Sequence, residues 1–137
     1  MERLARQYTD IIPNCDYNHD HYAAELRRFI SSGTGVIFYL EDDDGQIVGG
    51  IGGIKYPCLL TGKLTAVELF WYVDKERRSG TGGVRLFDAF EEWAKAHGCA
   101  KVAMVYLPCS MPERLYAFYE RRGYRLAEMH FEKEIKP

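Results

Sequence analysis

No apolar run in this sequence approaches the length of a membrane span, and its opening M-E-R-L-A-R-Q lacks the apolar core of a secretion signal. The expected partner is therefore not a membrane, and the expected compartment is the cytoplasm. Excess positive charge is missing too. Eighteen Lys and Arg against twenty Asp and Glu leave a net charge of −2, so no basic stripe is available to neutralise a nucleic-acid backbone. There is no C-x-x-C pair; Cys15, Cys58, Cys99 and Cys109 stand far apart and read as reduced thiols. Repeats, linkers and low-complexity stretches are also lacking. Two phosphate-loop signatures are absent as well: Gly80, Gly82 and Gly83 do not form G-x-G-x-x-G, and no G-K-[ST] follows. With no acidic ribose partner either, a nucleotide-binding protein is disfavoured.

What is present suits one core. The 137 residues are 47% apolar, enough for a single domain over 1–137 and too apolar for a disordered chain. The most informative stretch runs from Val67 to His97. V-E-L-F-W-Y-V is a β-rich run, D-K-E-R-R-S-G-T-G-G a polar turn ending in glycines, and V-R-L-F-D-A-F-E-E-W-A-K-A-H an amphipathic helix. Leu86, Phe87, Phe90, Trp93, Ala94 and His97 recur at three- and four-residue steps, so one helix face is expected to be buried, with Gly98 as the stop. A glycine turn that opens a helix frees backbone N–H groups and aims the positive helix end at a ligand. That reads as an anion site, for phosphate; on spacing alone a tight strand–helix connection fits equally well.

An arginine ahead of the glycines decides between them. Arg77-x-x-Gly80-x-Gly82 resembles the [RQ]-x-x-G-x-[GA] pyrophosphate loop of the GNAT superfamily, the acyl-CoA-dependent N-acyltransferases. Phe118-Tyr119-Glu120-Arg121-Arg122-Gly123-Tyr124 resembles the F-Y-E-x-x-G-[FY] signature near that family's C-terminus. The two stand in the family's order, and the resemblance covers about Gly35 to Ile135. It implies acetyl-CoA as cofactor and a mixed α/β central sheet flanked by helices, with a V-shaped splay between the two central strands.

The residues between and around these signatures fit such a fold. Leu4 to Ile12 reads as a short strand or a turn of helix, stopped by Pro13. From Asn18 or Asp20 as N-cap, Tyr22, Leu26, Phe29 and Ile30 make an apolar helix stripe ending before Gly33. Cys15, Asp16, His19, Asp20 and His21 crowd that cap; with no second ligand cluster they read as a helix-capping loop, and no metal is expected. Gly35–Leu40 and Gln46–Tyr56 form a hairpin around an acidic, solvated turn, Glu41 to Gly45. Gly49, Gly50, Gly52 and Gly53 inside its return strand mark a bulge or a close approach. Leu64–Val73 and Lys101–Leu107 are further strands, parallel across the helix between them. Ser110-Met111-Pro112-Glu113 is a capping box that opens a last helix, with Leu115, Phe118, Tyr119 and Arg122 on one side and Gly123 at its end. One or more strands are expected within Tyr124–Ile135.

The resemblance also implies roles. Trp71, Tyr72 and Val73 lie on the strand that would pair with the pantetheine amides, and a backbone N–H between Glu68 and Val73 would polarise the acyl carbonyl. Arg77, Arg78, Ser79, Gly80, Thr81, Gly82 and Gly83 would hold the pyrophosphate. The spacing after Val73 is one residue short of the family's, so Arg77 or Arg78 can occupy the arginine place. Tyr119 stands at the general-acid tyrosine, where a phenol can protonate a departing thiolate; Tyr116, one turn earlier, competes for that role or lines the cofactor site. Glu68, the one carboxylate in an apolar strand, is the candidate base, with water the alternative; alternation places it on the face of Phe70 and Tyr72. Where the family often carries asparagine, seven residues before the tyrosine, this chain has Pro112, with Ser110 or Cys109 nearby to replace it.

The function expected is acetyl transfer from acetyl-CoA to a primary amine, of a small molecule or of a peptide or protein. The alternative is a non-catalytic acyl-CoA-binding sensor or interaction module. Loops 14–22 and 57–63 and the C-terminal strands would build the acceptor site. The oligomeric state is open, a homodimer included.

Overall fold

The apolar run G-V-I-F-Y-L and the β-rich V-E-L-F-W-Y-V both become strands, and the three- and four-residue apolar repeat after Gly82 becomes a helix. The computed structural model describes residues 2–10, 12, 15–106 and 112–137 and, of Pro112, the backbone. Its elements are α1 (Glu2–Thr9), α2 (His19–Ser31), β1 (Gly35–Glu41), β2 (Ile47–Pro57), β3 (Leu64–Val73), α3 (Gly82–Ala96), β4 (Lys101–Ala103) and α4 (Pro112–Arg121), with one 3-10 turn, Lys75–Arg77. The chain divides into two units, Met1–Val105 and Tyr106–Pro137.

In the first unit the sheet order is β1-β2-β3-β4. β1 and β2 are antiparallel, as are β2 and β3; β3 and β4 are parallel. The mixed sheet flanked by helices is thus as expected. Its core lies between α3 and the sheet, where Leu86, Phe90 and Ala94 meet Ile51, Ala66 and Val73. Each large apolar side chain buried there contributes about 1.5–3 kcal/mol. α3 ends in a Schellman motif, with Cys99 N–H on Ala94 O at 3.0 Å, Gly98 N–H on Lys95 O at 3.1 Å, and Gly98 at φ +73°. On the helix side of β2, Gly53 leaves room that the Phe90 ring and the Val67 carbonyl fill.

One open choice is settled and two expectations change. Residues 2–9 settle as a helix: Leu4 and Ala5 are buried, and Arg3 forks onto Asp74 at 2.9 and 3.0 Å while also donating to Ile47 O. β4 spans three residues rather than seven. Residues 124–137 carry no strand. A strand needs a ladder partner, and Phe131 stands 95% exposed.

In the second unit α4 is closed by a further Schellman motif. Tyr124 N–H reaches Tyr119 O at 2.9 Å, Gly123 N–H reaches Glu120 O at 3.1 Å, and Gly123 takes φ +86°. Ser110 and Met111, the start of the expected capping box, lie outside the described residues, as does Cys109.

Candidate active site

β3 is regular up to Val67 and again from Phe70. Between them the register slips: Gly53 pairs with Glu68 and Gly52 with Phe70, leaving Leu69 as a bulge. The same point ends the parallel ladder, whose last pair is Val67 with Ala103, while β3 itself runs on to Val73. The ladder between β3 and β4 thus stops one residue short of Glu68.

Ladder alternation tells which backbone groups of β3 face β2. Asp74 N–H bonds Val48 O at 2.9 Å, and Tyr72 and Val73 stand opposite Gly50 and Gly49. Bonded and non-bonded pairs alternate in an antiparallel ladder, so Asp74 and Tyr72 face β2. Val73 and Trp71 turn their N–H and C=O groups to the other side, where β4 has ended. The Val73 N–H on that side is a donor that an amide carbonyl of an extended ligand can meet.

Side chains on this strand do less than their positions suggest. The Trp71 ring packs into the core, 5.7 Å from the Phe87 ring, and its indole N–H donates to Gly83 O at 3.2 Å. Tyr72 is buried on the opposite face against Tyr8. Neither ring is turned toward a ligand at the strand edge.

Beyond the strand, Arg77 N–H bonds Asp74 O, Arg78 N–H bonds Lys75 O and Gly80 N–H bonds Arg77 O, so these three are spent in the turn. The ladder of α3 begins with Arg85 N–H on Thr81 O at 3.0 Å, and Thr81 makes no side-chain cap. The N–H groups of Gly82, Gly83 and Val84 therefore have no intrahelical acceptor and sit at the positive helix end. The anion cradle is the helix start itself, with Ser79 and Thr81 beside it. Gly82 lacks a Cβ because Leu40 of β1 presses against it, a packing reason independent of any ligand. The two arginines are both held: Arg77 donates to Asp42 at 3.2 Å, and Arg78 donates its Nε–H to Val73 O at 2.7 Å with its guanidinium over the Tyr72 ring. Neither hold selects one as the family arginine.

Glu68 is 3% exposed. Desolvation pushes its carboxyl up to about 8, against a smaller lowering by a hydrogen bond from the Val105 backbone. Its face differs from the one that alternation gave. Ala66 before the bulge and Val73 after it share the core beneath α3, although their parities differ. The bulge inverts the phase, so Glu68 is not on the face of Phe70 and Tyr72.

A stability test follows. The folded carboxyl holds its proton up to about pH 8 and the unfolded one releases it near 4.5. The folded state thus binds the extra proton across this window, and stability should fall with rising pH there by roughly 1 kcal/mol per unit, then level off. Glu68→Gln should remove that slope in urea melts between pH 5 and 8. Equal slopes in the two proteins would place the carboxyl in water.

Tyr119 is buried on α4, with its ring 5.8 Å from that of Tyr124 and 6.1 Å from that of Phe118. Tyr116 is 39% exposed and meets Tyr106 edge-on at 5.8 Å. At the other end of the chain, Asn18 caps α2 by accepting from His21 N–H, and His19 Nδ1 lies 2.8 Å from the Tyr17 hydroxyl, as a capping loop would have it. Sequence reasoning missed Asp42: its carboxyl is buried, accepts from Asp44 and Gln46 N–H, and holds Arg77. It also missed the pocket against β3 formed by Leu4, Tyr8, Tyr22, Gly50, Phe70 and Tyr72.

The family model for the acetyltransferase (GNAT) family matches residues 2–124. The chain belongs to the GNAT acetyltransferase family. No curated protein sequence matches this GNAT chain. Among solved structures it is similar to a transcriptional regulator from Bacillus halodurans C-125, with 18% identity over 98% of this chain and 92% of that one and a TM-score of 0.78. An aminoglycoside acetyltransferase, HMB0005, from an uncultured soil metagenomic sample follows with 18% identity over 99% and 90% and a TM-score of 0.76. AAC(6')-Iy in complex with the bisubstrate analogue CoA-S-monomethyl-acetylneamine shows 14% identity over 94% and 86%, at 0.73. These likenesses are of fold. The second unit's Tyr119 and Gly123, and the bulge and helix start of the first, all fall inside the family match.

Proposed function

We propose that this GNAT acetyltransferase moves an acetyl group from acetyl-CoA to a primary amine by direct attack, as one acyltransferase domain working in the cytoplasm. The observation that carries the reading is the β3 edge at Val73, whose N–H is turned away from β2, followed in the chain by the uncapped start of α3. An amide-bearing arm needs the first and a pyrophosphate the second, so the donor set fits coenzyme A. When bound, acetyl-CoA supplies the thioester that the amine nitrogen attacks as the carbon–sulfur bond breaks. An outward N–H of β3 at the bulge steadies the charge growing on the acyl oxygen. Glu68, ionised above the pH of about 8 to which burial raises its carboxyl, takes the amine's proton directly or through water. Tyr119 gives a proton to the departing sulfur; its role rests on its place in F-Y-E-R-R-G-Y.

The first test is of the cofactor. Acetyl-CoA at about 100 times its Kd should stabilise the fold by about 2.7 kcal/mol and raise Tm, because it binds only the folded state. ATP, which has no pantetheine arm, should raise Tm much less. Equal shifts from the two would favour a nucleotide site. Release of free CoA with a panel of amines then separates an enzyme from a binder. The non-catalytic module stays as the second reading because Pro112 replaces the family's usual asparagine.

A further inference from the structure

Leu59 and Leu60 stand 97% and 90% exposed at the tip of the β2–β3 hairpin. The turn that presents them is closed. Cys58 N–H bonds Lys63 O and Gly62 N–H bonds Cys58 O, both at 2.8 Å, and Gly62 takes φ +71°. Lys63 N–H reaches the Thr61 hydroxyl at 3.2 Å, and the Cys58 sulfur draws that hydroxyl and the N–H groups of Leu60 and Thr61. So the tip carries two apolar side chains on a backbone whose donors are largely paired within the turn. Positive charge surrounds it. Lys55 N–H bonds Thr34 O where α2 runs into β1, Pro57 pairs with Leu64 across the loop, and Lys101 pairs with Thr65. The stretches that meet here, 26–36, 53–67 and 96–103, hold no Asp or Glu. Arg28 and Lys95 at the ends of α2 and α3 are held by Glu25, Glu91 and Glu92, and the carbonyl ends of those helices offset some charge. Lys55, Lys63 and Lys101 are the surplus; among the described residues none of the three is in an ion pair.

We propose that this tip docks on an anionic lipid surface, with Leu59 and Leu60 entering the interface and the three lysines meeting lipid headgroups. No helix among the described residues is long and apolar enough to cross a bilayer, so the contact is peripheral. A nucleic acid would use the lysines and leave the leucines in water. A second copy set tip to tip would bring lysines against lysines. A protein partner would need a groove cut for a projecting tip, whereas a bilayer interface admits an apolar side chain wherever it lands. Half-exposed Tyr56, just behind the tip on β2, suits the headgroup level. Apolar insertion alone holds a protein only marginally, and a stable hold takes a second signal. Each lysine near an anionic surface adds about fivefold in affinity, so the tip has both. Docking leaves the cofactor site open. The tip lies at the Leu64 end of β3 and the start of α3 beyond the Val73 end, about 30 Å along the strand.

Vesicle sedimentation with the full chain is the test. Phosphatidylcholine vesicles with about 30% phosphatidylserine should bind it reversibly at about 1 mM lipid, and phosphatidylcholine alone at least tenfold less. Leu59→Asn with Leu60→Asn should weaken binding at least tenfold although every charge is kept. Lys63→Gln with Lys101→Gln should weaken it about twentyfold and flatten its salt dependence. All four positions are exposed, so Tm should hold in both pairs, and the single substitutions serve where a pair does not fold. No binding to the anionic vesicles, equal binding to both kinds, or binding that the leucine pair leaves unchanged overturns the proposal. So does tighter binding to duplex DNA or to polyglutamate than to the vesicles, which would make the tip a site for those polymers. A wild-type dimer that the leucine pair turns into a monomer also overturns it, in favour of a contact between copies.

Discussion

Replacing Tyr119 with phenylalanine is expected to lower turnover by about 10²–10⁴, the range for loss of a general acid, with little change in acetyl-CoA binding. The substitution keeps the ring, and with it the contacts to Phe118 and Tyr124 on the same unit, and deletes only the hydroxyl. The Schellman closure of α4 uses the backbone carbonyl of Tyr119, which the change leaves alone. The alkaline limb of the rate profile should vanish too, since it would report loss of the phenol's proton. Tyr116→Phe is the control, one turn earlier and half exposed. Unfolding of Tyr119→Phe would favour a purely structural tyrosine. Normal turnover in Tyr119→Phe with failure of Tyr116→Phe would move the acid one turn back along α4.

How far the chain could be read in advance depended on whether a feature is local. β3 and α3 were legible because period and capping are written within ten or fifteen neighbouring residues. β3 came out at Leu64–Val73 and α3 at Gly82–Ala96, with Gly98 closing it. The bulge was hinted at by the glycines of β2, yet its consequence for Glu68 was not. A slip in register belongs to two strands together, and only the pairing tells which face follows it. Arg3 with Asp74 and Arg77 with Asp42 join residues 71 and 35 apart, and nothing in either residue's surroundings marks its partner. Asp42 looked like one more solvated acid in an acidic run, although the turn buries it. The aromatic pocket was out of reach for the same reason, since it needs α1, α2, β2 and β3 at once. In 124–137 the opposite error occurred: strands were expected, and a stretch without a ladder partner forms none.

Gly83→Asp should weaken CoA binding at least about a hundredfold while leaving the fold as stable as before, or slightly more so. A Cβ at Gly83 would meet Val73 Cγ2 at 3.6 Å and Trp71 at 3.9 Å, ordinary contacts that require no shift. Gly82 is the worse site, because any Cβ there drives into Leu40 and would confuse loss of packing with loss of a ligand. At Gly83 an aspartate sits in the first turn of α3, where a carboxylate complements the helix end and contributes about 0.3–1 kcal/mol. Those same N–H groups are the ones proposed to hold the pyrophosphate. The new carboxylate would compete for them and repel the anion across a few ångströms, the close range at which charges act most strongly on one another. Melting temperature and CoA affinity should therefore move in opposite directions, a pairing that general damage to the protein cannot produce. Isothermal calorimetry with CoA and with dephosphorylated pantetheine, which has no pyrophosphate, completes the test. Binding of pantetheine should survive the substitution. If CoA binds Gly83→Asp as tightly as the wild type, the start of α3 is not the anion site, and the glycines serve only to join a strand to a helix.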